Sequence, residues 1–246
     1  MNLQGNKSTD HRWNTKEYEK RTRQLYRTEL HKLYPSESWA LFRILPLAKS
    51  VLDLGCGNGA MASITKKISP KTKYFGVDHQ KTLIKKAREL FPYAKFEYDN
   101  LLEFLKKKAQ KFECVMSWSV VKSFENWRDL INLMIESSKK FVVFDIRVAN
   151  VDSEIFDEKI CWADYGGIKG PIILLNYNSL KKFLISKKKH YSRVEVVAYE
   201  SKWGDFVHFK KKLNPETFLL TCVIHKTTKT KEKFEFFERL PGNIDK

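Results

Sequence analysis

The sequence lacks the features of a disulfide scaffold, a zinc module or a membrane protein. Its 246 residues hold only four cysteines, at positions 56, 114, 161 and 222. None belongs to a Cys-x-x-Cys pair, so the usual zinc spacings are excluded and no metal ligand set is expected. Four scattered cysteines in a chain of this length also argue against a disulfide framework. Reduced thiols in a cytoplasmic protein are the expectation. No uncharged apolar run approaches the roughly 20 residues needed to cross a bilayer. The opening Met1-Asn2-Leu3-Gln4-Gly5 runs into polar sequence without the apolar stretch of a secretory signal. Internal repeats are absent as well.

What is present fits one globular domain. Hydrophobic residues make up 42% of the chain, enough for a full core at this length. Charge is unbalanced, with 46 Lys and Arg against 29 Asp and Glu, a net charge of +17. That surplus makes a nucleic-acid partner possible. It is not favoured, because 36 of the cations are Lys and 10 are Arg. Base and phosphate readers lean on the bidentate guanidinium. Runs such as Lys106-Lys107-Lys108 and Lys187-Lys188-Lys189 read as solvated faces.

From about residue 50 the pattern alternates strand and helix. Val51–Leu54, Tyr74–Asp78, Ala94–Tyr98, Cys114–Ser117 and Phe141–Asp145 are short, mostly apolar runs, as strands covered on both faces should be. Between them, Leu83, Ile84, Ala87 and Leu90 form a helical stripe, as do Trp127, Leu130, Ile131, Met134 and Ile135. Repeated β-α units imply a parallel sheet with helices on both faces. Later, Asn178–Ser186 reads as a helix, and Val194–Tyr199 and Thr217–His225 as strands that pair antiparallel. Thr15–Leu33 reads as a charged helix, and Ser36 as the cap of another ending at Leu45. The last twenty residues read as a polar tail.

The most informative segment is Val51-Leu-Asp-Leu-Gly-Cys-Gly-Asn-Gly59. Glycines at 55, 57 and 59 between a strand and a helix allow a tight turn and close approach of a ligand to the backbone. A dinucleotide binder uses a similar turn to seat a pyrophosphate at a helix N-terminus, and Ala60 could complete that pattern. Asp53 argues against it, since an anion suits an ammonium or sulfonium better than a pyrophosphate. Asp78 ends the second strand 19 residues after Gly59, where a carboxylate can accept from both ribose hydroxyls. Asp99 follows the third strand and could accept an adenine amine. Each acid could instead cap a helix.

These residues resemble the first motifs of the class I S-adenosylmethionine-dependent methyltransferases, over about residues 50–147. The resemblance implies an α/β, doubly wound, three-layer fold. Its sheet has seven mostly parallel strands with an antiparallel last strand. It implies S-adenosyl-L-methionine as cofactor and S-adenosyl-L-homocysteine as product. Carried over, the cofactor contacts are Asp53, Gly55, Gly57, Gly59, Asp78, His79, Asp99, Asn100, Leu101 and Ser117. The chain then divides into a helical extension (1–48), a cofactor-binding half (49–147), an acceptor-side half (148–226) and a tail (227–246).

The acceptor is less legible. After the fourth strand stands Ser117-Trp118-Ser119-Val120, without the Pro-Pro-aromatic motif of base amino-methylating enzymes. No cysteine follows a proline, as a cytosine-C5 nucleophile would, and Glu125 lacks the second glutamate of protein-arginine enzymes. A hydroxyl, amine or carboxylate of a small molecule or glycan is therefore expected. Residues 147–177 supply aromatic rings and acids suited to a sugar, among them Glu154, Trp162, Asp164 and Tyr165. His190, His208 and Asp164 are the candidate catalytic bases. Trp13, Tyr18 and Arg21 could close a lid. An RNA methyltransferase, a nicotinamide-dependent oxidoreductase and a non-catalytic cofactor-binding module are the competing readings.

Overall fold

The computed structural model describes residues 27–107, 111–164, 169–200, 207–210, 216–226 and 233–242. The expected lid residues 13, 18 and 21, the greater part of the expected Thr15–Leu33 helix, and Tyr165 lie outside the described residues.

The first half of the chain alternates strand and helix as its periodicity requires. In order come α1 (Pro35–Ile44), β1 (Ser50–Leu54), α2 (Ala60–Ile68), β2 (Lys73–Asp78), α3 (Lys81–Leu90) and β3 (Lys95–Tyr98). They are followed by α4 (Leu101–Lys107), β4 (Phe112–Ser117), α5 (Trp127–Ser137) and β5 (Ser138–Ala149). The second half adds β6 (Cys161–Asp164), β7 (Lys169–Pro171), α6 (Tyr177–Ser186), β8 (Arg193–Glu200), β9 (Val207–Phe209), β10 (Thr217–His225) and β11 (Glu235–Arg239).

The main sheet runs β11-β8-β10-β5-β4-β1-β2-β3. Strands β1 to β5 pair parallel. The near-continuous apolar run of β10 inserts antiparallel between β5 and β8. This is the seven-stranded arrangement expected from the sequence, with the antiparallel strand in place. Helices cover both faces. Trp127, Leu130 and Met134 of α5 pack with Leu180 and Leu184 of α6 on one side. Leu41 and Ile44 of α1 pack with Ile64 of α2 and Ile84 of α3 on the other. Consecutive strands of β-α units rise in one direction, so their carboxyl ends open onto one rim, the usual ligand position.

Two features correct the sequence reading. The polar tail contributes an eighth strand, β11, parallel to β8. Its alternation is masked by charge: Phe234 and Phe236 pack on the core, while Glu238 accepts from Tyr177 Oη at 2.5 Å and Lys181 Nζ at 2.9 Å. The irregular acceptor-side region is partly a second sheet, β7-β6-β9, antiparallel throughout. Cys161, Ala163, Ile172, Leu174 and Val207 give it a small core of its own. Helix starts also shift. Tyr34, followed by Pro35 at the first helical position, precedes α1 in place of Ser36. Asn176 caps α6 by accepting from the amides of Asn178 and Ser179, so the helix begins at Tyr177, one residue before the expected Asn178.

Candidate active site

A cleft of about 370 Å³ opens at the carboxyl ends of β1, β2, β4 and β5. The glycine turn after β1 forms its floor. Gly55, Gly57 and Gly59 all have positive φ, at 75°, 55° and 82°. Side chains rarely adopt this region, so the turn needs glycine. The amides of Gly55 and Cys56 donate to Val77 O at 2.8 and 3.1 Å, tying the turn to β2. A Cβ at Gly55 would stand 2.3 Å from Val120 Cγ2. At Gly57 a Cβ would meet nothing within 4 Å.

Asp78 bridges this turn to the end of β2. Its Oδ2 accepts from Gly57 N at 2.8 Å and its Oδ1 from Gln80 N at 2.9 Å. The residue preceding α3 is Gln80, so Asp78 is not the helix cap. An ionised carboxylate offers about four lone-pair sites. With one amide on each oxygen, acceptor capacity remains for hydroxyl groups. Burial pushes the Asp78 carboxyl upward, while neighbouring His79 pulls it down. His79 lines the cleft with Nδ1 3.6 Å from Asp78 Oδ1. Asp53 is buried beside them and accepts from Tyr74 Oη. Burial raises its carboxyl to about 7 against the Tyr74 hydrogen bond, and the charge of Asp78 adds to the rise. Two buried carboxylates facing one cleft favour a cationic or hydroxyl-bearing ligand.

Asn100 and Leu101 also line the cleft. Asn100 caps α4, accepting from Leu102 N at 3.0 Å and Glu103 N at 3.2 Å. Three expected contacts stand outside the lining. Gly59 faces the core, where a Cβ would meet Phe96 Cζ at 2.8 Å. Asp99 turns back on its neighbour, accepting from Asn100 N at 2.7 Å. Ser117 is fully buried and donates to Leu54 O at 3.1 Å, stitching β4 to β1. Trp118 and Ser119 face the cleft in its stead.

At the ends of β4 and β5 the cleft holds residues that the sequence did not single out. Ser119 has φ of 60°, the single non-glycine residue with positive φ among those described. Asp145, at the core of β5, accepts from the Ser119 amide and from its hydroxyl at 3.4 Å. Lys122 Nζ donates to Ser119 O at 2.8 Å. The strained residue is thus held from both sides. Burial raises the Asp145 carboxyl, opposed by Lys122, the Ser119 amide, Arg147 and Arg27. Beneath, buried Glu37 accepts from Arg27 at 2.5 Å and from Tyr34 N at 2.9 Å, and burial lifts it to about 7. One signal was available: Asp145 interrupts the apolar run Phe141–Ile146 within β5.

The three base candidates do not meet at the cleft. His190 is exposed on a 3₁₀ turn, Lys188–His190. His208 stands in β9, its ring stacked on Trp162 at 5.6 Å. Asp164 ends β6, in register with Lys169. None of them lines the cleft, because β6 and β9 pair with each other and hold both residues in the small sheet. Glu154 is also committed elsewhere, to both terminal nitrogens of Arg128 and to Trp127 Nε1 at 3.2 Å. No cluster of three potential metal ligands occurs among the described residues.

Comparison with known proteins agrees with this geometry. Residues 47–165 match the family described as Methyltransferase domain. A curated relative, trans-aconitate 2-methyltransferase of Variovorax paradoxus (strain S110), is 37% identical over 57 residues, 23% of this chain and 22% of that protein. The 235L protein of Invertebrate iridescent virus 6 is 24% identical over 106 residues, 42% of this chain and 39% of that protein. The chain thus matches well under half the length of either relative. Among solved structures, the N-terminal domain of EvdMO1 with S-adenosylhomocysteine bound superposes with a TM-score of 0.57 at 13% identity, covering 80% of this chain and 82% of that one. The plantazolicin methyltransferase BpumL, also in complex with S-adenosylhomocysteine, gives 0.57 at 16% identity, covering 89% and 94%. These likenesses show the fold. Residues 47–165, just under half of the chain, thus match a methyltransferase domain, and the whole shares the fold of these methyltransferase structures.

Proposed function

We propose that the protein transfers a methyl group from S-adenosylmethionine to a small-molecule acceptor, leaving S-adenosylhomocysteine. One observation carries this reading: two buried carboxylates, Asp53 and Asp78, bracket a positive-φ glycine turn at one cleft. Asp78 has acceptor capacity for ribose hydroxyls, and the charge of Asp53 suits the ammonium of the methionine moiety. His79, Asn100 and Leu101 would flank the base. When bound, the cofactor supplies a methyl group already activated by a sulfonium. The chain's own task is then to align the acceptor and exclude water, which can contribute about 7–11 kcal/mol through orientation. Trp118, Val120 and Phe124 form the apolar wall for this.

The acceptor side supports a small molecule over a polymer only through the small size of the cleft. The sugar reading loses much of its basis, since Glu154 is paired and Trp162 stands outside the lining. The test is a calorimetric titration with S-adenosylmethionine, S-adenosylhomocysteine and NAD. Binding of the first two at micromolar order, about −8 kcal/mol, is expected. Binding of NAD alone would replace the methyltransferase reading with the oxidoreductase one. Transfer should also proceed with no nucleic acid present.

A further inference from the structure

We propose that the acceptor carries an anionic group and that Lys122 binds it, a reading that rests on the methyltransferase assignment above. Lys122 lies in a 3₁₀ turn, Val121–Ser123, just beyond β4. Its own carbonyl accepts from Ile173 N at 2.7 Å, which pins the turn to the segment leading into α6. The side chain lines the cleft yet is only 7% exposed. Among the described residues its ammonium makes one hydrogen bond, to the neutral carbonyl of Ser119. An ammonium has three donors, so two remain unspent.

Among the described residues no carboxylate forms an ion pair with it. Asp145 feels its charge and carries one Ser119 donor on each oxygen. The unspent donors of a buried ammonium are met best by an anionic acceptor group.

The surroundings point the same way. Arg27, which is paired with Glu37, and Arg147 line this end of the cleft beside Asp145. Trp118, Phe124, Ile146 and Leu219 provide apolar walls for a carbon skeleton. The net charge of +17 raises the local concentration of small anions. A carboxylate and a phosphate share the required chemistry, and the probes below separate them.

The experiment begins with protein saturated with S-adenosylhomocysteine, at about 0.15 M salt so that surface attraction is screened. It is titrated with tricarballylate, with glycerol phosphate and with the uncharged trimethyl ester of tricarballylate. One of the two acids is expected to bind at about 1 mM or tighter, and the ester not at all. Lys122→Met should weaken that binding at least tenfold, and Lys122→Arg should restore most of it. S-adenosylhomocysteine affinity should be unchanged in both variants. Failure of both acids to bind at about 10 mM, equal binding of the ester, or indifference to Lys122→Met would overturn the proposal. A parallel loss of S-adenosylhomocysteine affinity in Lys122→Met would assign the lysine to holding Ser119 and overturn it too. Failure of S-adenosylhomocysteine to load would overturn the methyltransferase reading first, and the anion proposal with it.

Discussion

Replacing Asp78 by Ala separates its two roles, because one of them exists without any ligand. In the empty protein the carboxylate accepts from Gly57 N and Gln80 N. Its removal leaves both amides short of a partner where little water can reach. Each such loss costs about 1–3 kcal/mol. Part is returned, because a carboxyl held above its usual range by burial is itself unfavourable when ionised. A net destabilisation of about 2–4 kcal/mol follows. For a chain of this size each kcal/mol lowers Tm by about 2–4 °C, so a fall on the order of 10 °C is expected. Asp78→Asn keeps one acceptor oxygen and should lose about half as much. Cofactor affinity measures the second role. Loss of a charge-assisted hydrogen-bond pair, about 1.5–3 kcal/mol, weakens S-adenosylhomocysteine binding about 10- to 150-fold. The assays are thermal unfolding of ligand-free protein by circular dichroism and calorimetric titration at a temperature where the variant is folded. An Asp78→Ala protein with Tm within about 2 °C of the parent and unchanged affinity would refute the bridging argument.

Further outcomes follow from the same geometry. Gly55→Ala combines a positive φ with a Cβ 2.3 Å from Val120 Cγ2; it should abolish cofactor binding, and Val120→Ala in the same chain should recover part of the lost Tm. Asp53 and Glu37 are both raised to about 7. Their favourable contribution is complete below the unfolded carboxyl range and is lost as pH rises through about 7, so Tm of the empty protein should carry a component that falls from pH 5.5 to 8. His225, lowered by burial, works against this as pH falls through its usual range; comparison with Asp53→Asn, which should flatten the profile, isolates the Asp53 part. S-adenosylmethionine affinity should show the opposite trend, weaker at pH 6 than at pH 8, because a cation prefers ionised Asp53; a flat affinity profile would remove Asp53 from the cation site. His190→Ala and His208→Ala should leave cofactor affinity unchanged, as both side chains lie outside the cleft; exposed His190 should cost stability within about 0.5 kcal/mol and His208, stacked on Trp162, about 0.5–1.5 kcal/mol.

The cofactor half was legible because its signals are local. An apolar run of strand length, three glycines and acids at successive strand ends lie within some fifty residues, and together they narrow readings that each leaves open alone. The antiparallel pairing of β8 with β10 was also legible, since no helical stripe separates the two runs, whereas an antiparallel strand within the parallel sheet was implied only by the family resemblance. The acceptor end was not. Arg27, Lys122, Asp145 and Arg147 come from three separated segments, and only the sheet brings them together. Histidines attracted attention by their usual titration range, yet backbone pairing placed His208 against Trp162 and left His190 in solvent. β11 escaped because Glu235, Glu238 and Arg239 hide the alternation of Phe234 and Phe236.

A crystal structure of the complex with S-adenosylhomocysteine tests the central claim most directly. The account predicts the ribose hydroxyls within hydrogen-bond distance of Asp78, the methionine moiety over Gly55–Gly57 near Asp53, and the thioether sulfur facing Ser119. Density for the ligand elsewhere, or a ribose that leaves Asp78 bound only to its two amides, would contradict it.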